Sequence, residues 1–509
     1  MTGPLDTGTT LGRVATARSP IGPQTVSVRP DPSRVYAALF MPGEEMPGDH
    51  SRAIAVIKRV LALDGSEVTS ALAELHSRFA DRPWLDEVFQ RHFDAISPRL
   101  DAGDVPSTDR QLLIGAYFTH DVSPEGAALT NPSIVAHPDQ SGVPEGSLRF
   151  IMSARAIGEG HVSSIEFRTG IISETGIAEL DPAGPRLEPP SRVTAAHQRD
   201  AFWARLRDVG YSSEAAHLIL DRLGATFDRA ELEDAISRLD SYLITRQASR
   251  DTISQIRQIA DNNYAVAFPP TSAVSERVLV PTGPTESNGV EDARWVRFVD
   301  DDGGASYQAT YTAYDGRHIS PQLLRTEDFV TFSAHQLSGP AAKNKGMALF
   351  PRKIGGRFAS LSRWDRESSF VAWSDDGLTW GSATQIDAPR RAWDLIQVGN
   401  CGSPLETADG WLVLTHGVGP MRTYTIGAML LDLRDPRRVL AVLPTPLVGP
   451  TEQERSGYVP NVAYTCGGLL HGDLLVLPYG VGDQTITITV IDLPGLLSRL
   501  HDAPSPGAH

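Results

Sequence analysis

Cysteine is scarce: the 509-residue chain has two, Cys401 and Cys466, and they form no CxxC or Cys/His metal spacing. They read as buried thiols of a reducing compartment. His161, His416 and His471 are dispersed and no HExxH occurs, so neither a metal nor a cofactor is expected. There is no GxSxG elbow, which disfavours a serine nucleophile, and no P-loop; Gly303-Gly304 after Asp301-Asp302 fits a tight hairpin turn better than a phosphate cradle. Positive charge is also short. Lys+Arg number 46 against 62 Asp+Glu, a formal net charge of -16, which argues against nucleic acid or an anionic membrane as partner while leaving room for a local basic pocket. No run approaches the roughly 18 apolar residues a membrane helix needs. Residues 1–32 lack the apolar core of a signal peptide, so a cytoplasmic protein is expected.

What is present is ordinary globular composition, 41% hydrophobic and 21% charged, over a length that allows several domains or one large architecture. Residues 1–32, rich in Thr, Gly, Pro and Ser, are expected to be disordered. Residues 33–110 are predicted to be helical, from apolar residues at helical spacing such as Ile54, Ile57 and Leu61, then Leu72, Leu75 and Phe79. Strands are predicted from Leu113–Phe118 onward through residues 111–185. A second helical block is predicted over 186–265, with Ser212-Ser213-Glu214 as a helix start and Gly224 as a stop. Strands resume over 266–500, and 501–509 is expected to be a disordered tail.

The strand-rich part repeats loosely. Leu323–Phe329, Val371–Trp380 and Met429–Pro436 each run from strand through an acidic turn towards another strand, a hairpin recurring about once per 50 residues. The expected fold class is mainly β, a β-propeller with added α-helical segments; a sandwich with acidic turns is the alternative. A propeller brings polar residues distant in sequence to one pocket. One stretch concentrates such chemistry: Asn288 through Trp295 places Glu291, Asp292 and Arg294 just after a glycine. Alternation along a strand predicts that Glu291 and Asp292 point to opposite faces. Taken alone, the pair reads first as a solvated turn with a salt bridge.

The ordered series GVEDAR at Gly289–Arg294, YTAYDG at Tyr311–Gly316, LFP at Leu349–Pro351, GWLVLTHGV at Gly410–Val418, LLDLRDP at Leu430–Pro436 and YGVGD at Tyr479–Asp483 resembles glycoside hydrolase family 130. That family comprises five-bladed propeller phosphorylases and hydrolases acting on β-mannosides. The resemblance covers about Pro270 to Leu500, and Thr130–Arg168 resembles the family's first blade. It implies that Asp292 is the catalytic acid, protonating the glycosidic oxygen through a sugar hydroxyl, although Ala293 stands where the family usually has proline. It further implies that Asn131, Arg155 and Asp483 hold the sugar before the scissile bond. Alternative readings are an Asx turn for Asn131 and a hairpin turn for Asp483.

At Glu406, in Pro404-Leu405-Glu406-Thr407, the resemblance implies lysine in phosphorylases. A carboxylate repels phosphate and suits a water-activating base, with Glu454 sharing that role. Lys345, Arg363 and His416 remain as anion ligands or as partners of the two glutamates, Arg294 and Tyr311 complete the substrate-binding set, and Trp364 is a subsite wall. The expected function is therefore inverting hydrolysis of β-mannosides, with Asp292, Glu406 and Glu454 catalytic. The partners are a manno-oligosaccharide and water. A phosphorylase releasing mannose 1-phosphate with inorganic phosphate as acceptor is the second reading, and a non-catalytic carbohydrate-binding propeller the third. Oligomeric state stays open, as does the inserted block, which either caps the site or forms a homo-oligomer interface.

Overall fold

Short apolar runs from Ala128 onward form antiparallel sheets in the computed structural model, which describes residues 26–43, 51–240, 243 and 245–503. The chain divides into two compact units, residues 33–123 and the remainder.

In the smaller unit, helices Arg52–Ala62, Gly65–Arg78, Leu85–Ile96 and Thr108–Tyr117 gather around Ala53, Ile57, Leu72, Phe93 and Ile114. Local signals set their starts. The Ser51 side chain accepts from the Ile54 amide, and Asp64 and Glu67 cap each other reciprocally. Leu113–Phe118, predicted as a strand, is instead the end of the fourth helix and its cap. The reason lies at Gly115, where the missing side chain lets the helix press on its neighbour: a Cβ there would stand 1.8 Å from the Phe89 carbonyl oxygen. The predicted boundary at residue 111 therefore shifts, and the strand Thr119–Val122 pairs with Tyr36–Leu39 within this unit.

The larger unit contains five main sheets. Sheet 1 holds Ala128–Ala136, Leu148–Ile157, Ser163–Ile172 and Val278–Leu279. Sheet 2 runs in the order Val290–Val299, Ala305–Tyr314, Ile319–Thr326, Thr331–Gln336, Tyr264–Ala267, Ser191–Val193. Sheet 3 holds Ala348–Leu349, Phe358–Ser362, Ser369–Ser374 and Ser382–Asp387. Sheet 4 runs Gln397–Asn400, Gly410–Gly419, Thr423–Leu431, Val439–Val442, with Leu405–Thr407 also paired to Gly410–Gly419. Sheet 5 joins Ala463–Tyr464, Leu474–Val481 and Thr485–Asp492 to Val26–Val28. That last strand corrects the expectation of disorder for residues 26–28; residues 1–25 and 504–509 of the two expected disordered ends lie outside the described residues.

One apolar cluster lies between each sheet and the next. Phe167 of sheet 1 meets Trp295 and Tyr307 of sheet 2. Phe298 of sheet 2 meets Phe358 of sheet 3. Val371 of sheet 3 meets Trp411 and Met429 of sheet 4. Leu412 and Ile426 of sheet 4 meet Leu475 and Leu477 of sheet 5. Val476 and Ile488 of sheet 5 return to Phe150 and Met152 of sheet 1. Because Trp411 and Val413 fill one cluster while Leu412 and Leu414 fill another, Gly410–Gly419 is buried on both faces and reads as an unbroken apolar run.

The inserted helices Arg199–Asp208, Glu214–Leu220, Arg229–Ser237 and Gln247–Asn262 share their own core of Phe202, Leu206, Ile219, Leu232 and Ile256. They connect Ser191–Val193 with Tyr264–Ala267, the last two strands at the edge of sheet 2 away from Val290–Val299. At about 4.8 Å per strand, this anchorage lies roughly 19–24 Å across the sheet from Val290–Val299.

Replacing Gly115 by alanine is expected to destabilise the smaller unit by about 1–3 kcal/mol, the usual cost of overpacking, and urea denaturation measures it.

Candidate functional site

Two β-bulges build the site. In sheet 1 the register slips between Thr130↔Arg155 and Ser133↔Ser153, leaving Asn131 and Pro132 opposite one residue. In sheet 2 it slips between Glu291↔Thr312 and Arg294↔Thr310, leaving Asp292 and Ala293 opposite Tyr311. Asn131 and Asp292 both take left-handed backbone, φ 48° and 57°, as does Asp483 at 48° in the sheet 5 turn. Asn and Asp tolerate that region better than most side chains, and such local strain concentrates at functional sites. The bulge also overturns the predicted alternation. Glu291 and Asp292 face the same cations: Arg155 Nη2 donates to Glu291 Oε1 at 2.7 Å, and Arg155 Nη1 stands 3.7 Å from Asp292 Oδ1.

The rest of the shell follows from these positions. Asn131 Nδ2 donates to Asp292 Oδ1 at 2.6 Å. Arg294 lies 3.7 Å from Asp292 Oδ2 and is fixed by the Asp292 and Cys401 carbonyls and the Tyr464 hydroxyl. Lys345 Nζ donates to Glu291 Oε2 at 2.6 Å, and Arg155 Nε donates to Ser163 Oγ at 2.9 Å. Thr130 Oγ1 donates to Asp483 Oδ1 at 3.3 Å.

Asp292 is only 7% exposed. Burial alone would raise its carboxyl, but Arg155, Arg294, Lys345 and the Asn131 hydrogen bond outweigh that and pull it down to about 2. Burial and the charge on Asp292 push Asp483 the other way, upward.

A second cluster adjoins the first. Arg363 Nη1 lies 2.6 Å from His416 Nε2, and His416 Nδ1 lies 3.2 Å from the Asn400 carbonyl oxygen. A guanidinium has no acceptor, so Nε2 accepts and Nδ1 carries the proton to the carbonyl. Burial and the charges of Arg363 and Arg294 hold His416 well below its ordinary value, so it is neutral. Gly399 is required here, since a Cβ would stand 2.7 Å from His416 Cε1 and 2.8 Å from Arg363 Cδ. Arg363 Nε is buried and has no hydrogen-bond partner among the described residues.

Of the residues expected from sequence, Asn131, Arg155, Asp292, Arg294 and Lys345 are brought into one ion-paired cluster, Asp483 joins through Thr130, and Arg363 and His416 pair with each other. Trp364 follows Arg363 and is exposed beside Phe370. Two assignments change. Glu406 pairs with Trp411 near the start of the strand on which His416 lies five residues further, about 17 Å away at 3.3 Å per residue. Its carboxylate is 41% exposed and holds Arg352 through two bonds of 2.9 and 2.7 Å, at the opposite end of sheet 4, so the water-activating role fails. Tyr311 is 2% exposed and donates to the buried Glu286, which makes it a core residue and not a substrate ligand. Glu454 is engaged with the Thr451 amide and the Tyr479 hydroxyl. Thr130, Ser163, Asn400 and Tyr464 were missed; they act from other strands on charged groups, and no spacing in the sequence marks them.

A sequence model of the glycoside hydrolase 130 family, described as beta-1,4-mannooligosaccharide phosphorylase, matches residues 251–501. A 1,2-beta-oligomannan phosphorylase of a Thermoanaerobacter species is 35% identical over 212 residues, 41% of this chain and 70% of the relative. A beta-1,2-mannobiose phosphorylase of Listeria innocua is 31% identical over 229 residues, 44% of this chain and 63% of that protein's length. A solved structure of the Listeria innocua beta-1,2-mannobiose phosphorylase with beta-1,2-mannobiose aligns at 21% identity with a TM-score of 0.45, over 75% of this chain and 93% of that one. The chain belongs to glycoside hydrolase family 130.

Because the folded pKa of Asp292 lies below the unfolded value, its contribution to stability is present above about pH 4 and is lost as pH falls through about 2. Asp292→Asn is expected to flatten the acid limb of a stability-versus-pH curve by about 2 kcal/mol between pH 5 and pH 2, read by urea denaturation at each pH.

Proposed function

We propose that this protein is a mannoside phosphorylase, cleaving β-1,2-linked manno-oligosaccharides with inorganic phosphate and releasing mannose 1-phosphate. The observation that carries this reading is Arg363, whose buried Nε has no hydrogen-bond partner among the described residues and whose charge reaches Asp292 and Arg294. Around Asp292 four cations, Arg155, Arg294, Lys345 and Arg363, outnumber the three carboxylates Glu291, Asp292 and Asp483 in a chain whose net charge is -16. A dianion relieves that imbalance, and a guanidinium with a free N–H supplies a charge-assisted bond to it. The named relatives act as phosphorylases on 1,2-beta-oligomannan and beta-1,2-mannobiose, which favours the same acceptor and linkage here. Phosphorolysis thus takes precedence over the hydrolysis expected from Glu406.

We read the five sheets as the blades of a five-bladed β-propeller, since each shares an apolar cluster with the next and the fifth with the first. In that arrangement Asn131, Arg155 and Asp483 hold the terminal mannose beside Asp292. A phosphate oxygen attacks C1 opposite the leaving oxygen, the C1–O bond to the rest of the chain breaks, and the leaving oxygen gains a proton through a sugar hydroxyl under the control of Asp292. Monohydrogen phosphate balances the reaction, since its proton ends on the freed hydroxyl. Asp292 is ionised in the empty site, so the proton it manages arrives with the reactants. The two buried thiols, Cys401 and Cys466, suit a cytoplasmic setting.

Incubation with β-1,2-mannobiose and mannotriose, with and without phosphate, tests the reading. Mannose 1-phosphate formed only with phosphate supports it; free mannose alone overturns it in favour of hydrolysis, and no turnover favours a binding protein. Asp292→Asn is expected to lose about 10²–10⁴ in kcat, whereas Glu406→Gln stays within about twofold of the parent.

A further inference from the structure

The turns that edge the site carry exposed side chains that the proposed chemistry does not use. Tyr458 is 45% exposed, although its backbone is tightly seated: the Val459 amide donates to the Gly482 carbonyl at 2.8 Å, next to Asp483. Gly457 is pressed on the same turn, where a Cβ would stand 2.4 Å from the Gly482 carbonyl oxygen. The Tyr458 hydroxyl lies 2.7 Å from His161 Nδ1, across 297 residues of sequence. His161 belongs to the turn between Leu148–Ile157, the strand of Arg155, and Ser163–Ile172. Tyr458 therefore spans from the turn of Asp483 to the turn beyond Arg155, and its ring is fixed at both ends while half open to solvent.

A third turn, Pro420–Arg422, follows the strand of His416. Met421 and Arg422 both adopt left-handed φ, 58° and 54°, Met421 is 84% exposed, and the charge of Arg422 reaches Asp483. An aromatic ring held between the turn of Asp483 and the turn that follows the strand of Arg155 presents an apolar face of the size that stacks on a pyranose ring.

We propose that Tyr458, braced by His161, is the wall that binds the sugar on the leaving side of the scissile bond, the acceptor sugar when the reaction runs backwards. The occupant is a saccharide unit of the same manno-oligosaccharide, because the ring joins the turn that carries Asp483 to the turn that follows the strand of Arg155. This inference rests on the phosphorylase reading.

The synthetic direction isolates this subsite, since mannose 1-phosphate and the acceptor are separate substrates. Tyr458→Ala is expected to raise KM for a mannobiose acceptor about tenfold, with KM for mannose 1-phosphate and kcat within twofold of the parent. Tyr458→Phe, which keeps the ring, should restore most of the acceptor affinity. An unchanged acceptor KM, or equal rises for both substrates, overturns the proposal. So does a change of mass in solution with the acceptor KM intact, which would make the ring a contact between copies. If the parent enzyme neither forms mannose 1-phosphate from mannobiose and phosphate nor consumes it with an acceptor, the phosphorylase reading fails. Calorimetry of mannotriose binding to the parent and Tyr458→Ala then decides the wall independently: about tenfold weaker binding supports it and equal binding removes it.

Discussion

Two neighbouring carboxylates buried against a ring of guanidinium and ammonium groups are the constraint on which the rest of this molecule turns. Glu291 and Asp292 lie almost out of reach of water, where an isolated charge is costly. They are tolerated because Arg155, Lys345 and the Asn131 amide close on them from elsewhere in the chain, and Arg294 from two residues along the same strand. Apart from Arg294, none of these partners is near in sequence. Arg155 and Asn131 come from sheet 1, Lys345 from the segment before sheet 3, and Arg294 is itself fixed by Cys401 and Tyr464, beside sheets 4 and 5. The apolar clusters between successive sheets hold these strands in register, so the electrostatics of the site depend on packing tens of residues away.

The same arrangement separates the roles of the two acids. Glu291 satisfies Arg155 and Lys345 and so orients them; Asp292 is held ionised with one face towards Asn131 and Asp483. The neutral His416 leaves the positive charge of Arg363 undiminished. In an acidic chain this local excess of cations meets no protein partner at Arg363 Nε among the described residues. The proposed phosphate chemistry rests on that imbalance more directly than on any motif.

How much was legible in the sequence depended on how local each cause was. The helix start at Ser212-Ser213-Glu214 was legible because its cause is local: the Ser213 side chain accepts from the Ala216 amide three residues on. Asp292, Asn131 and Asp483 were found through the ordered resemblance, yet the shared orientation of Glu291 and Asp292 was not, because a bulge adds a residue without leaving a compositional mark. Leu113–Phe118 was misread since Gly115 matters only against Phe89, on another helix. Glu406 was misplaced for a related reason: Pro404–Thr407 and His416 are close in sequence but lie towards opposite ends of one strand. Tyr311 looked like a ligand until Glu286, buried beneath it, took its hydroxyl.

Equilibrium binding of inorganic phosphate, followed by isothermal calorimetry on the parent protein and on Arg363→Met, tests the central claim most directly. Saturable binding to the parent that weakens at least tenfold in Arg363→Met is the result this account predicts, from the loss of a charge-assisted hydrogen bond. Equal binding to both proteins, or none to the parent, would contradict it.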